Sequence, residues 1–292
     1  VYGTVRWRSR MENINHIKDR LSLIECDITD SNGVQSIFEK VEPDIIHHLA
    51  AQSFVPTSFR CPQSTIDTNV IGTLNILEGV IKCEIDPIIQ IAGSSEEYGL
   101  VYPNEVPIKE TNPLRPLSPY GVSKVACDLL SIQYYHSYGL KVVVTRAFNH
   151  FGVRRGDVFV CSNFAKQIAM IEKGKRDKLF HGNLEAQRDF TDVRDIIRAY
   201  YLAVHKKQCI GKQLNISSGT SYSIRTILNY LISLAKVEIK TELDPSRSRP
   251  SDVPILLGDS SLFRKITGWC PSIEITQTLK DLLNYWRNRC DG

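Results

Sequence analysis

The sequence predicts an α/β protein built on a doubly wound parallel sheet. Short apolar runs alternate with segments of helical periodicity through the first half of the chain, the pattern of parallel strands joined by crossover helices. Its 292 residues suffice for about two domains, or for one large α/β unit with an appendage. Hydrophobic residues at 42% and charged residues at 23% are ordinary for a globular enzyme. A chain of this length buries about three quarters of its unfolded surface, so no covalent staple is required.

The elements follow in order. A strand is expected over 1–6 and a second over 21–28, ending around Asp27. A helix reads through 34–41, and Pro43-Asp44 breaks it. The apolar run 45–51 ends in small residues. Segment 65–81 sets Ile66, Val70, Leu74 and Leu77 on one helical stripe. Strand 88–92, helix 122–138 and strand 141–148 continue the alternation. Beyond residue 150 the pattern loosens. A helix is expected over 164–173, the polar stretch 187–195 leads into a helix ending at 204, and 213–217 reads as a strand. Helix 223–235 carries Ile224, Ile227, Leu228 and Leu231 as its apolar stripe. A loop rich in proline and arginine over 245–254, the segment 262–271 and a helix over 275–289 close the chain.

Doubly wound folds open on a strand and a glycine-rich turn. Here the chain opens directly on Val1-Tyr2-Gly3-Thr4-Val5-Arg6. The expectation is that one βα unit of about 20–30 residues precedes Val1.

Composition narrows the function. The net charge of +4 is spread along the chain and forms no arm or tail, which disfavours nucleic acid as a partner. The eight cysteines are scattered, with no CxxC pair and no accompanying histidine cluster. Neither a metal site nor a disulfide framework is expected, and the thiols suit a reducing cytoplasm. No apolar run approaches membrane-spanning length and no signal peptide is visible.

The chain is organised around Ser118-Pro119-Tyr120-Gly121-Val122-Ser123-Lys124, with Ser94 and Glu96 upstream. Tyr120 and Lys124 are four residues apart at the start of a helix, which places them on one face. An ammonium beside a phenol favours the phenolate, and such a tyrosine can take a proton from a sugar hydroxyl. Ser94 and Glu96 fall at the carboxyl end of a strand, where open α/β sheets bind ligands. The plainer alternatives are a helix that happens to carry this spacing and a surface carboxylate at a strand end.

Further motifs stand in register with this stretch. They are Val5-Arg6-Trp7-Arg8-Ser9, Asp27-Ile28, His48-Leu49-Ala50-Ala51-Gln52-Ser53, Gly93-Ser94-Ser95-Glu96-Glu97-Tyr98-Gly99, Phe148-Asn149-His150 with Arg154-Arg155-Gly156, Gln187-Arg188-Asp189-Phe190, and Arg249-Pro250. Together they resemble the extended short-chain dehydrogenase/reductase family. Within it the chain is most similar to the nucleotide-sugar 4,6-dehydratases, in particular the GDP-mannose 4,6-dehydratases and the related GDP-4-keto-6-deoxymannose reductases.

The resemblance implies a Rossmann domain over 1–152 that binds NADP, with 189–220 returning to it. It implies a smaller α/β domain over 153–188 and 221–292 that binds the nucleotide sugar. Arg6 and Arg8 follow the strand whose end meets the adenosine ribose. There arginine accommodates a 2′-phosphate, hence NADP over NAD; the alternative is a solvated basic edge. Asp27 and Ile28 would flank the adenine, unless Asp27 only caps the next helix. Leu49, Ala50 and Ala51 would let the backbone approach the dinucleotide, with Gln52 and Ser53 offering hydrogen bonds. His47 and His48 read as strand residues. His150 and Arg155 would lie on the cofactor side, and Asn149 on the sugar or its phosphate. Arg188 and Arg249 would neutralise the diphosphate, unless they pair with Asp189 and Asp252.

The reaction implied is a 4,6-dehydration through bound NADP. Tyr120 and Lys124 would act at the C4 hydroxyl, Ser94 would bond the C4 oxygen, and Glu96 would serve as the acid/base at C5 and C6. Ser94 stands where these dehydratases usually carry threonine, and Glu97 adds a second acid, so a 4-keto reductase stays open. So do a dehydratase of another nucleotide sugar and a non-enzymatic NADP-sensing scaffold. A homo-oligomer, dimer or tetramer, is implied by resemblance.

Overall fold

A computed structural model describes residues 1–247 and 253–290. In chain order the strands and helices are β1 (Tyr2–Val5), β2 (Ser22–Glu25), α1 (Ser31–Val41), β3 (Ile45–His48), α2 (Val55–Arg60), α3 (Pro62–Ile66), a π turn (Asp67–Ile71), α4 (Gly72–Lys82), β4 (Ile88–Ser94), α5 (Pro119–Tyr138), β5 (Lys141–Ala147), β6 (Asn149–Phe151), α6 (Val160–Glu172), β7 (Leu179–His181), β8 (Gln187–Asp192), α7 (Val193–His205), β9 (Lys212–Ile216), β10 (Ser221–Ser223), α8 (Ile224–Ser233), β11 (Thr241–Leu243), β12 (Ile255–Leu256), α9 (Ser261–Thr267) and α10 (Ile275–Arg289).

The chain divides into two units. The first holds Val1–Glu97, Pro116–Thr145 and Ala203–Gln213; the second holds Tyr98–Arg115, Arg146–Leu202 and the described residues from Leu214 onward. The boundary expected at 152 falls inside the second unit. Of the expected return over 189–220, only 203–213 groups with the first. The reason is apolar packing: Tyr98, Val101, Ile108 and Phe148 form one buried cluster with Val253 and Leu256.

In the first unit the parallel strands of the sequence reading are present. β1 pairs with β2 in parallel, from Tyr2↔Ser22 to Val5↔Glu25, as a two-stranded sheet. β3 pairs with β4 in parallel, from Ile45↔Ile88 to His48↔Ile91, within a sheet ordered β3-β4-β5-β9. Val34 and Phe38 of α1, Ile76, Leu77 and Val80 of α4, and Ile89 and Ile91 of β4 join Val142 and Val144 in one core.

Two helices differ from their expected bounds in ways that matter for the site. The helix expected over 122–138 begins earlier: the Ser118 hydroxyl accepts from Gly121 N at 3.0 Å and Pro119 occupies the first turn. Serine at the cap and proline just inside are favoured helix starts, and they place Tyr120 in the first turn. The single helix expected over 65–81 contains the π turn at Asp67–Ile71. A local π turn inserts an extra residue and re-aims the side chains around it.

In the second unit, β8 pairs with β10 antiparallel and with β6 and β12 in parallel. The sequence reading had no strand here, because Gln187-Arg188-Asp189-Phe190-Thr191-Asp192 looks polar. Yet Arg188 through Asp192 are all buried. Burial is tolerable because the carboxylates are satisfied: Asp189 accepts from Ser218 N at 2.8 Å and Gly219 N at 2.9 Å, and Asp192 pairs with Arg194 at 2.8 Å. The core of this unit joins α6, α8 and α10 through Phe164, Ile168, Leu228, Leu231, Leu282 and Trp286. No described helix is long and apolar enough to cross a membrane, and all eight cysteines are free thiols.

Two outcomes are expected of the first unit. Leu77 is fully buried in its core, so Leu77→Ala is expected to lower stability by about 2–5 kcal/mol in urea unfolding. His48 is buried on β3, and burial, with the Lys124 ammonium nearby, holds its pKa at about 3 against 6.5. Between those values the unfolded chain binds a proton that the folded chain refuses, so stability falls as pH drops below 6.5 toward 3. Thermal melts across that range should show a shallower acid slope for His48→Asn than for the parent chain.

Candidate active site

β4 ends at Ser94 and a single 3-10 turn, Ser95–Glu97, follows. The Ser94 hydroxyl accepts from Glu96 N at 3.2 Å, while Ser94 N donates to Glu97 Oε1 at 2.7 Å. The two adjacent acids are thereby separated. Glu97 is turned inward with 0% exposure. Glu96 is half-buried, and its carboxylate has no hydrogen bond or ion pair among the described residues.

The first turns of α5 seat on this turn. A Cβ on Gly121 would lie 2.7 Å from Glu96 O, so only glycine permits the approach. One turn on, Lys124 is buried, and its Nζ donates to Ala92 O on β4 at 2.8 Å. Nζ lies 5.9 Å from the centre of the Tyr120 ring. Burial lowers the pKa of Lys124, with Cys127 and Glu97 opposing the shift. The structure thus brings Ser94, Glu96, Tyr120 and Lys124 to the junction of β4 and α5.

A buried polar network braces α5 from the other side. Asn69, at the centre of the π turn, accepts from Gln52 N at 2.8 Å and donates to the Ser123 hydroxyl at 2.8 Å. Ser123 in turn donates to Tyr120 O at 2.7 Å. Thr73 donates to Asn69 O at 2.6 Å and lies 3.0 Å from His48 Nε2. Sequence reasoning passed over Asn69, Thr73, Gly121 and Glu97 as site residues. The available signal was a polar Asn69 and Thr73 inside an apolar helical segment.

The residues expected to hold the adenosine end of a dinucleotide only partly converge. Arg6 and Asp27 line one open groove of about 700 Å³, together with Arg60, Ser64 and Asp67. Asp27 does not cap α1; that carboxylate is Asp30, which accepts from Asn32 N at 3.1 Å. Asp27 accepts from Thr29 N and Oγ1 at 3.0 and 2.8 Å, and these bonds lower its pKa. Arg8 is not among the residues of the groove. Its guanidinium stacks 4.6 Å from the centre of the Trp7 ring, on backbone with φ 59°. Ile28 packs in the core against Gly72. Leu49, Ala50 and Ser53 are exposed and Ala51 is half-buried.

Asn149, His150, Arg155 and Arg188 belong to the second unit. Asn149 Oδ1 is buried and finds no hydrogen-bond partner among the described residues. His150 Nδ1 lies 2.9 Å from Phe148 O, and burial lowers its pKa. Arg155 stacks 3.5 Å from the centre of the Phe159 ring. Arg188 donates to Gln187 O at 2.8 Å and Val253 O at 2.7 Å. Asp189, the alternative partner considered for Arg188, accepts from the Ser218 and Gly219 backbone. Arg249 lies outside the described residues.

Comparison with known proteins agrees over nearly the full length. The family model described as GDP-mannose 4,6 dehydratase matches residues 1–282. The GDP-6-deoxy-D-mannose reductase of Pseudomonas aeruginosa is 35% identical over 264 residues, covering 90% of this chain and 86% of that one. A GDP-mannose 4,6-dehydratase of Vibrio cholerae is 32% identical over 288 residues, covering 88% and 76%. The solved structure of RMD from Pseudomonas aeruginosa complexed with NADPH aligns with a TM-score of 0.86 and 31% identity over 92% of this chain and 91% of that chain. With its Ser-x-Glu turn and Tyr-x-x-x-Lys helix joined at one strand end, the chain belongs to the GDP-mannose 4,6-dehydratase family.

Proposed function

We propose that the chain is a GDP-mannose 4,6-dehydratase working through bound NADP. One observation carries this reading: Glu96, beside Ser94, is a half-buried carboxylate with no partner among the described residues, while its neighbour Glu97 is bonded inward. An elimination needs an acid/base that the protein's own contacts do not occupy.

The residues of the first unit divide the work. The Tyr120 phenol oxygen takes the proton of the C4 hydroxyl. The Lys124 ammonium, 5.9 Å from the ring centre, stabilises the negative charge that develops there. The Ser94 oxygen accepts from Glu96 N, which leaves its hydroxyl hydrogen to bond the C4 oxygen. Once C4 is a ketone, the C5 proton is acidic. Glu96 removes it and returns a proton to the departing C6 hydroxyl.

Bound NADP would supply reversible hydride transfer, out of C4 and back to C6; C5 regains a proton as hydride reaches C6, which balances the one Tyr120 took from the C4 hydroxyl. The chain offers groups that suit it. Arg6, on the groove it shares with Asp27, can fork onto a 2′-phosphate, and the similar Pseudomonas structure is complexed with NADPH. In the second unit, Asn149 Oδ1, buried and without a hydrogen-bond partner among the described residues, suits a sugar hydroxyl.

A second reading is a 4-keto reductase. Ser94 in place of threonine and the 35% identity to a GDP-6-deoxy-D-mannose reductase favour it. The two separate on one assay: purified protein, GDP-mannose and no added reductant. Mass spectrometry should show a product lighter by one water. A protein inert there, yet consuming NADPH with the 4-keto-6-deoxy sugar, is the reductase.

Two variants refine the proposal. Glu96→Gln should slow water loss by about 10²–10⁴-fold with an unchanged melting temperature; full activity in that variant would remove Glu96 from the chemistry. Arg6→Ala should weaken 2′,5′-ADP binding in calorimetry by about tenfold or more while sparing ADP. Equal loss for both nucleotides would mean that Arg6 does not read the 2′-phosphate.

A further inference from the structure

The groove that carries Arg6 is also lined by Arg60, to which the proposed function gives no part. The two arginines reach it from different elements: Arg6 directly follows β1, and Arg60 is the last residue of α2. The backbone under Arg60 is fixed. Cys61 N donates to Thr57 O at 2.8 Å. The Thr65 hydroxyl, on a fully buried residue, donates to Cys61 O at 3.1 Å and accepts from Gln52 Nε2 at 3.0 Å. The head group above this support is left uncommitted. The Arg60 guanidinium forms no ion pair among the described residues, and its hydrogen bond to Thr57 Oγ1 is long, at 3.5 Å.

Charge shows what that head group suits. Arg6 and Arg60 are the cations lining the groove, and Asp27 and Asp67 are its anions. Arg6 already answers a carboxylate: after the two Thr29 bonds, its charge is a further cause of the lowered pKa of Asp27. A phosphate monoester brings about 1.5–2 negative charges near neutral pH. Were Arg6 the sole cation, it would stand against two carboxylates and the phosphate together. Arg60 brings the lining to neutrality before the phosphate enters, and its fork can bond two phosphate oxygens. A plainer role for Arg60 is to complement the dipole at the carboxyl end of α2. That role asks for a positive charge near the last carbonyls and has no need of a place on the groove.

We infer that Arg60 is a second residue for the 2′-phosphate, and that preference for NADP over NAD in this chain needs both arginines. This deepens the proposed function and rests on its seating of the adenosine end of NADP in this groove. Two forks from separate elements also restrict where the phosphate sits, which a single long side chain does not.

The test compares 2′,5′-ADP with ADP by calorimetry and needs no turnover. Arg60→Ala is expected to cut the preference for 2′,5′-ADP by about tenfold while sparing ADP. Arg60→Lys, which keeps the charge and loses the fork, should recover part of it. The double variant Arg6→Ala/Arg60→Ala should bind the two nucleotides equally. A charge acting only at the helix end would shift the melting temperature and leave the preference intact, and an intact preference in Arg60→Ala overturns the inference. A footprint locates the nucleotide. Cys61 is exposed and lines this groove, whereas Cys270, also exposed, belongs to the second unit. 2′,5′-ADP should slow alkylation of Cys61 by N-ethylmaleimide and leave Cys270 unchanged; an unprotected Cys61 overturns the inference. If the parent chain prefers 2′,5′-ADP and protects Cys61 while Arg60→Ala behaves identically, this inference fails and the seating of NADP stands. A parent chain without that preference sinks both.

Discussion

The site depends on the seating of α5 against the end of β4. Two contacts make it: the Lys124 ammonium on the Ala92 carbonyl at 2.8 Å, and the close approach of Gly121 to the Glu96 carbonyl. The first spends a buried charge on a backbone acceptor. The second requires a missing side chain. Together they fix the height of Tyr120 over the turn that carries Ser94 and Glu96. A chain with the same four side chains but an alanine at 121 would have to lift the helix from the strand or bend the turn.

Burial of polar groups recurs through the molecule, and backbone groups satisfy several of them. Asn69 bonds Gln52 N and Ser123, Asp189 takes the N–H groups of Ser218 and Gly219, and Glu97 takes that of Ser94. Partners of this kind make buried polar groups rigid. They also explain how a strand as polar in sequence as β8 can be interior. Such rigidity would serve the proposed reaction, since small misplacements cost rate steeply.

Relatives of this chain are named both as dehydratases and as a reductase, and a phenol beside an ammonium suits proton transfer in either chemistry. What differs is the need for an acid/base at C5 and C6. In this chain the two consecutive glutamates differ: one accepts from a neighbouring amide, and the carboxylate of the other has no hydrogen bond or ion pair among the described residues. The distinction lies in a single 3-10 turn, in which successive side chains point about a third of a turn apart.

Periodicity and local chemistry were enough to read the parallel strands, the α4 and α5 helices and α10, whose expected bounds match the structure. They also gave the Tyr-x-x-x-Lys spacing, because four residues span one helical turn in any setting. Local pattern could not give β8, because its polar side chains are paired with residues distant in sequence. Nor could it give the π turn that aims Asn69, the diversion of Arg8 onto Trp7, or the assignment of Asp30 rather than Asp27 to the cap of α1. The sequence alone determined which chemical groups are available and in what order. Which of Glu96 and Glu97 is fully buried, and which arginine lines the groove, were decided by tertiary packing, because burial depends on neighbours that no local window contains.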